Sequence, residues 1–426
     1  MRIGRAAPLA PEAAGGEALP ALERPAPSGP FAALAISSFR WLFLSTMCGV
    51  IGFQMQQVAM GWLVYELTHS ALKLGLVTAA QAITQLGVSP VAGVIADRVE
   101  RRNYIIIVRL VTVAVGAALT VLIWTHEIQY WQLLAGAAII GIGFGLNGPA
   151  RQALLADLVG PRYLLNAVSL NSAGMNVTRI VGPSVAGVLL GVVGAGGVFA
   201  ANTALYATVI LFMVPVPRRF ATRERTKEPL LTELSGGVSY IRERPDISAI
   251  LLVGTLPLFF AMPYVALLPI FATTVWHSGA IGFGLLSSAP GLGGAVGGVM
   301  VGSIAEGRRK APLMLAGVIA YGALLVAFAL SPSIYLALPL LALIGFAAIV
   351  YTSINATLVQ LLTPNAMRGR VMSFYQMSFG LGQFGALPAS ALAQVAGAPA
   401  TMAVAGGAVM VLGVAFARFS RPLRTL

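Results

Sequence analysis

The sequence predicts an all-α integral membrane protein with twelve transmembrane helices in two pseudo-symmetric six-helix bundles. Three observations predict it. Only 10% of the 426 residues are charged and 58% are hydrophobic, whereas a soluble protein carries about 25% charged residues. Too few charges remain to solvate a surface of this size, so lipid is the solvent. The charges also cluster, leaving 41–65, 74–96, 180–217, 247–305, 311–367 and 371–417 without Asp, Glu, Lys or Arg; roughly 20 apolar residues cross a bilayer. Finally, a charged turn recurs. Gly93-Val94-Ile95-Ala96-Asp97-Arg98-Val99-Glu100-Arg101-Arg102 closes one apolar stretch, and Gly302-Ser303-Ile304-Ala305-Glu306-Gly307-Arg308-Arg309-Lys310 closes another 209 residues later. In each, an acid follows the glycine by four residues and a basic cluster follows the acid. Such duplication is typical of transport proteins.

The elements follow in chain order. Residues 1–35 open with six prolines in the first 30 positions and no apolar core suited to a cleaved signal; they are expected to be a disordered cytoplasmic tail. Cutting the charge-free stretches at Gly, Pro, Ser and Asn turns places spans near 41–67, 74–96, 103–124, 131–153, 164–190 and 195–215 in a first bundle (36–216). A second bundle (247–418) holds spans near 247–272, 280–304, 311–330, 334–358, 371–396 and 398–417. The linker 217–246 is the most charged stretch. Its Leu230, Leu234, Val238 and Ile241 recur at helical spacing, which predicts an amphipathic helix on the inner surface. Residues 419–426 form a cytoplasmic tail. A second echo, Leu158-Val159-Gly160-Pro161 against Leu361-Leu362-Thr363-Pro364, supports the duplication.

With the amino terminus inside, 24 of the 27 Lys and Arg residues fall in inside segments or, for Arg151, at the inner end of a span; Arg109 and Arg179 lie deeper within spans and only Lys73 is outside. This is the positive-inside pattern. It predicts a multi-pass protein of the inner (cytoplasmic) membrane with both termini cytoplasmic. The net charge of +13 then reflects topology and contact with an anionic leaflet, and no nucleic-acid partner is needed. Cys48, the single cysteine, allows no intrachain disulfide. The histidines His69, His126 and His277 all sit near outer loops, and no nucleophile–base pair or metal cluster emerges. No enzyme, cofactor or metal is expected. Gly141-Ile142-Gly143-Phe144-Gly145 lies inside a span, which rules out a nucleotide loop, and there is no Gly-x-x-x-x-Gly-Lys-Ser/Thr element to power an ATP-driven pump.

The Gly93-x-x-x-Asp97-Arg98-x-x-Arg101-Arg102 turn resembles the signature between the second and third helices of the major facilitator superfamily, and the Glu306 turn resembles its weaker twin. Gln56-Gln57-Val58-Ala59-Met60-Gly61-Trp62-Leu63-Val64-Tyr65-Glu66-Leu67-Thr68 and Gly148-Pro149-Ala150-Arg151-Gln152-Ala153 with Asp157-Leu158-Val159 look like the branch holding the enterobactin exporter and macrolide efflux proteins. Gly182-Pro183-Ser184-Val185-Ala186-Gly187 is similar to the fifth-helix motif of proton-coupled exporters, with Ala186 in place of a glycine and Thr178 where a leading glycine is usual. The basic residue common early in the fourth helix of proton antiporters is absent, since 131–147 carries no charge. The resemblance implies the major facilitator fold and alternating access. It also implies export of an amphipathic small molecule of drug, macrolide or siderophore type, antiport against a proton gradient, and action as a monomer in the bilayer.

Candidate functional residues follow from the cost of polarity in lipid. Asp97 beside Arg98, Arg101 and Arg102 should stay ionised, and with Arg151, Asp157, Glu306 and Arg308 it forms a candidate inner gate; the competing reading is that the arginines only enforce topology. Arg179, mid-span, costs at least ~2.5 kcal/mol in lipid, so it faces a wet cavity and substrate or an internal partner. Asn176 lies beside it, with Asn171 two turns earlier. Arg109, nearer an inner end, can snorkel, and a structural role is expected for it in place of a functional one. Gln54, Gln57, Asn147, Tyr264, Tyr351, Asn355, Tyr375, Gln376 and Gln383 are further cavity candidates, about half of which are expected to serve as interhelical bonds instead. No carboxylate sits at mid-depth in any span. Glu66 is therefore the candidate proton site, against the reading of an outer-rim charge. An uptake carrier or facilitator, and a transport-inactive scaffold or sensor, stand as alternatives.

Overall fold

A computed structural model describes residues 29, 31–96, 98–218, 230–304 and 310–420. A backbone in hydrocarbon must satisfy its own hydrogen bonds, and the described residues form helices joined by short turns, with no strand among them. In the N-terminal half these are α1 (Ser37–Thr68), α2 (Ala71–Ala96), α3 (Arg101–Trp124) and the composite α4 (Tyr130–Met213). The linker contributes α5 (Leu230–Glu243). The C-terminal half holds α6 (Pro245–Ala261), α7 (Tyr264–Ile270) running into a π turn at Phe271–Val275, and α8 (Gly279–Ile304). Then come α9 (Lys310–Ala329), α10 (Ile334–Leu362), α11 (Asn365–Phe384), α12 (Ala386–Ala396) and α13 (Ala398–Phe419). Eight described helical runs, the 84-residue α4 among them, are long and apolar enough to cross a membrane.

α4 is three rods rather than one. Gly160 (φ 66°, ψ 174°) and Gly194 (φ 69°, ψ −179°) break it in a backbone region that only glycine enters freely. The rods 130–159 (α4a), 161–193 (α4b) and 195–213 (α4c) fall on the expected fourth, fifth and sixth spans. The loop expected around 154–163 is a single residue wide. Three other turns use histidine in the left-handed region: His69 (φ 47°), His126 (φ 59°) and His277 (φ 50°). Histidine tolerates that region better than most residues. These turns share one end of the bundle with Gly194, here termed the histidine end. Gly160 and the turn before Arg101 mark the opposite, arginine end.

The tail starts later in structure than in sequence. Ala32–Ala35 forms a 3-10 turn, and Ala33 is fully buried with its N–H donating to Asn166 Oδ1 at 2.9 Å. The expectation of disorder through residue 35 is corrected to that extent; residues 1–28 lie outside the described residues. The predicted linker helix is present as α5. Its end is fastened by Ser248 Oγ donating to the Ile241 carbonyl and by Arg244 Nε and Nη2 on the Asp246 carboxylate at 3.0 and 2.6 Å.

Each half has its own packing. Gly49 and Gly52 let α1 approach α3 and α4c, where Arg109, Val209, Asn202 and Tyr206 lie. In the C-terminal half, α8 and α10 meet so closely that a Cβ on Gly293 would strike the Ala342 carbonyl, and one on Gly345 the Pro290 carbonyl. Small residues permit such approach in membranes. The halves touch through α4b on α8 and α2 on α11 and α12.

Candidate functional site

The space between the halves is best located from α4b. At 100° per residue, Gly174 and Gly182 face α1, against Met47, Phe43, Gln54 and Ile51, while Ile180, Gly187 and Gly191 face α8. Val177, Val181, Val185 and Val188 are exposed on the far side, where lipid solvates them. Arg179, Asn176 and Pro183 occupy the remaining face, between the α1 and α8 seams. Arg179 and Asn176 are exposed there, and Arg179 has no hydrogen bond or ion pair to another described residue. Pro183 lacks an N–H, so the Arg179 carbonyl, four residues back, loses its helical donor. That carbonyl faces Gly291 of α8, whose added Cβ would lie 2.9 Å from it.

α1 presents its share of the same space. Phe53 stacks on Phe144 of α4a at 4.2 Å, Gln54 packs on Gly182, and Gln57, between those two contacts, is exposed. On α4a the face of Phe144 continues to Asn147 and Arg151. Asn147 is 5% exposed and its Nδ2 has no partner among the described residues. Arg151 Nη1 donates to Asn171 Oδ1 of α4b at 3.3 Å. Arg151 lies nine residues before Gly160, roughly 13 Å along the helix, deeper than a rim residue.

The halves close at the histidine end. A Cβ on Gly187 or Gly284 would fall against the other's Cα, and one on Gly75 would lie 2.5 Å from Ser390 Cβ. Ser70 Oγ donates to Gln394 Oε1 at 2.9 Å, and Trp62 stacks on Phe283 at 5.9 Å. Gly182 and Gly187 of the predicted fifth-helix motif are thus the crossings of α4b with α1 and α8, while Pro183 frees the carbonyl between them.

At the arginine end the described contacts of Glu100, Arg101 and Arg102 lie within the N-terminal half. Arg101, 4% exposed, pairs with Asp157 of α4a. Arg102 donates to the Met213 and Val214 carbonyls at 3.0 and 2.7 Å, a cation at a helix C-terminus. Glu100 caps α3 by accepting from the Arg102 and Asn103 N–H groups. Arg98 is exposed. Asp97, Glu306 and Arg308 lie outside the described residues, as does the side chain of Gln376.

The remaining expected residues are dispersed. Glu66 is exposed at the histidine end. Tyr264, Tyr351, Asn355 and Tyr375 are buried within the C-terminal half. Asn355 Nδ2 donates to the Ile250 carbonyl at 2.8 Å, and Tyr375 OH to the Thr352 carbonyl at 3.0 Å, so both bond helix to helix. Gln383 is half-buried on α11. A groove of about 600 Å³ between α6 and α13, lined in part by Arg242, Leu252 and Phe416, includes none of the expected cavity residues.

Sequence reasoning passed over a buried polar group between Gln54 and Gln57. Gln56 Oε1 accepts from Asn202 Nδ2 at 3.2 Å and Tyr206 OH at 3.0 Å. The Arg109 guanidinium lies 5.2 Å from the Tyr206 ring centre, behind Gly49 of α1. Arg109 Nε is buried without a partner among the described residues. Arg109 does not reach the inner surface: its head turns into the half, onto an aromatic face. Gln56→Leu should strand two buried donors at a cost of about 2 kcal/mol. The detergent-solubilised protein would melt at a visibly lower temperature, whereas Gln57→Leu would leave the transition unmoved.

Comparisons with known proteins agree with this architecture. A family model described as a transmembrane secretion effector, of the major facilitator type, matches residues 28–425. The enterobactin exporter EntS of Citrobacter koseri is 28% identical over 386 residues, 88% of this chain and 90% of that protein. Macrolide efflux protein A of Streptococcus pyogenes is 24% identical over 322 residues, 74% of this chain and 79% of that protein. The staphyloferrin A transporter of Staphylococcus aureus is 24% identical over 386 residues, 90% and 97% of the two chains. Among solved structures, a bacterial homolog of the human lysosomal transporter Spinster, inward-facing and unoccupied, superposes with a TM-score of 0.72 at 16% identity, covering 91% of this chain and 96% of that one.

Proposed function

This chain belongs to the transmembrane secretion effector family of major facilitator transporters, and from that premise we propose that it exports amphipathic small molecules by alternating access. It is an integral membrane transporter and not an enzyme; substrate type, direction and coupling are the proposal. The observation that carries it is the pair of halves joined at the histidine end around a polar face of Arg179, Asn176, Gln57 and Arg151. The distribution of Lys and Arg supports placing that end outside. The structure is then read as an inward-facing state, ready to load from the cytoplasm. The printed names of the relatives, efflux of macrolides and transport of siderophores, support export.

Energy comes from an ion gradient, with proton entry the first reading and Glu66 its candidate group. The inner gate is proposed to close through the charged turns around Asp97 and Glu306, with the Arg101–Asp157 pair holding the first turn against α4a. One observation favours a facilitator without proton coupling: no carboxylate lies at mid-depth. Inside-out vesicles separate the readings. An antiporter accumulates a fluorescent amphiphile when the vesicle interior is acidified, and a facilitator only equilibrates it. Arg179→Ala should lower the initial rate at least tenfold; an unaltered rate across a panel of exported compounds would remove Arg179 from the cavity.

A further inference from the structure

The charge inventory of the cavity is one-sided. Between Glu127 and Glu224 the only acid is Asp157, and after Asp246 the only acid is Glu306. Asp157 is engaged by Arg101 at the arginine end. Against this, Arg151 and Arg179 stand on the wall between the halves, and Arg109 stands behind it. The buried donors Asn147 Nδ2 and Arg109 Nε lack acceptors among the described residues. Positive charge exceeds negative among these groups.

While the cavity is open to water, solvent screens this charge. Closure removes the water, and uncompensated charge in a low-dielectric interior then becomes expensive. An anion entering with the substrate removes that cost, and a guanidinium holds a carboxylate by charge-assisted, often bidentate, hydrogen bonds. A cation entering the same space would add to the repulsion.

Building on the exporter reading above, we propose that the substrates are organic anions: an apolar or aromatic body bearing at least one carboxylate. The acidic group is held by Arg179 with Asn176 as a neutral donor, while Arg151, roughly 15 Å nearer the arginine end, adds positive potential on the path that leads there. The body lies against the stacked Phe53 and Phe144 and beside Met175. The amphipathic cations that many exporters handle are disfavoured here.

Three fluorescent probes sharing one body but differing in charge test this: dansylglycine (anion), dansylglycinamide (neutral) and dansylcadaverine (cation). Binding to the purified full chain and uptake into inside-out vesicles are measured for each. Dansylglycine is expected to bind and move at least tenfold better than dansylcadaverine. Arg179→Gln and Arg151→Gln should each reduce that preference at least fivefold, and Arg179→Lys should retain most of it. A preference for the cation, or a preference for the anion that both Gln variants keep, overturns the anion proposal and leaves the exporter reading intact. Equal movement of all three probes does the same. If no probe binds or moves, the exporter reading itself falls, and the anion proposal with it.

Discussion

Gly187→Leu is expected to cut transport at least tenfold in a protein that still inserts and folds. The α4b–α8 crossing has no room for a side chain, since even a Cβ at Gly187 meets the Cα of Gly284. The neighbour is backbone, so nothing can rotate aside; the helices must separate. Overpacking of this kind costs roughly 1–3 kcal/mol in a soluble core. Here the two halves can part and relieve it, so the cost falls on one conformation instead of on the fold. The state sealed at the histidine end is destabilised relative to the state open there. A disulfide between Ser70→Cys and Gln394→Cys, in a Cys48→Ala background, reports the seal because Ser70 and Gln394 are in hydrogen-bond contact across the halves. It should form readily with Gly187 present and poorly with leucine. Equal cross-linking in both would show that the crossing does not control closure.

Asp157→Ala should destabilise the N-terminal half by about 2 kcal/mol, because the buried Arg101 guanidinium loses the charge-assisted contact it makes with that carboxylate. Arg101 is the more buried member, its side chain 5% exposed against 27% for Asp157, so the loss falls on a cation with little access to water. A double variant, Arg101→Leu with Asp157→Ala, also removes the buried cation and should recover part of the melting temperature. Transport separates structure from gating. If the pair only braces α3 against α4a, the double variant transports normally. If it also holds the charged turn in position to latch the inner mouth, stability returns while transport does not. Thermal unfolding in detergent and initial rates in vesicles read the two effects independently.

The architecture was legible because lipid imposes a coarse rule: a segment without charge for 20 residues has few alternatives to a helix. The same coarseness hid the Gly160 turn. A glycine in the left-handed half of the map reverses the chain in one residue, and neither Gly160 nor Gly194 stands out by composition among 48 glycines. The tail boundary was misplaced for a related reason, since Ala32–Ala35 is held by Asn166, more than 130 residues away. Arg179 announced itself through the cost of its charge. Its face could be assigned only once Gly182 and Gly187 had been seen to meet different neighbours. The run Gln54 to Gln57 illustrates the limit: successive residues on a helix point 100° apart, so three glutamines in four positions go to three environments. The middle one, Gln56, is the structural residue. The His-Ser pairs at His69-Ser70 and His277-Ser278 are the sequence mark of the histidine-end turns, as the charged repeats are of the other end.

One detail of α4b bears on how binding could be felt at a distance. Arg179 and Gly187 share that rod, eight residues or roughly 12 Å apart, with Pro183 midway between them. A continuous helix would be a stiff lever, passing any tug on the guanidinium straight to the fulcrum at Gly284. The proline takes one rung out of the ladder and makes a joint there. The cargo-facing part of the rod can therefore swing through a small angle before the fulcrum shifts, and the freed carbonyl, pressed toward Gly291, is the stop that limits the swing.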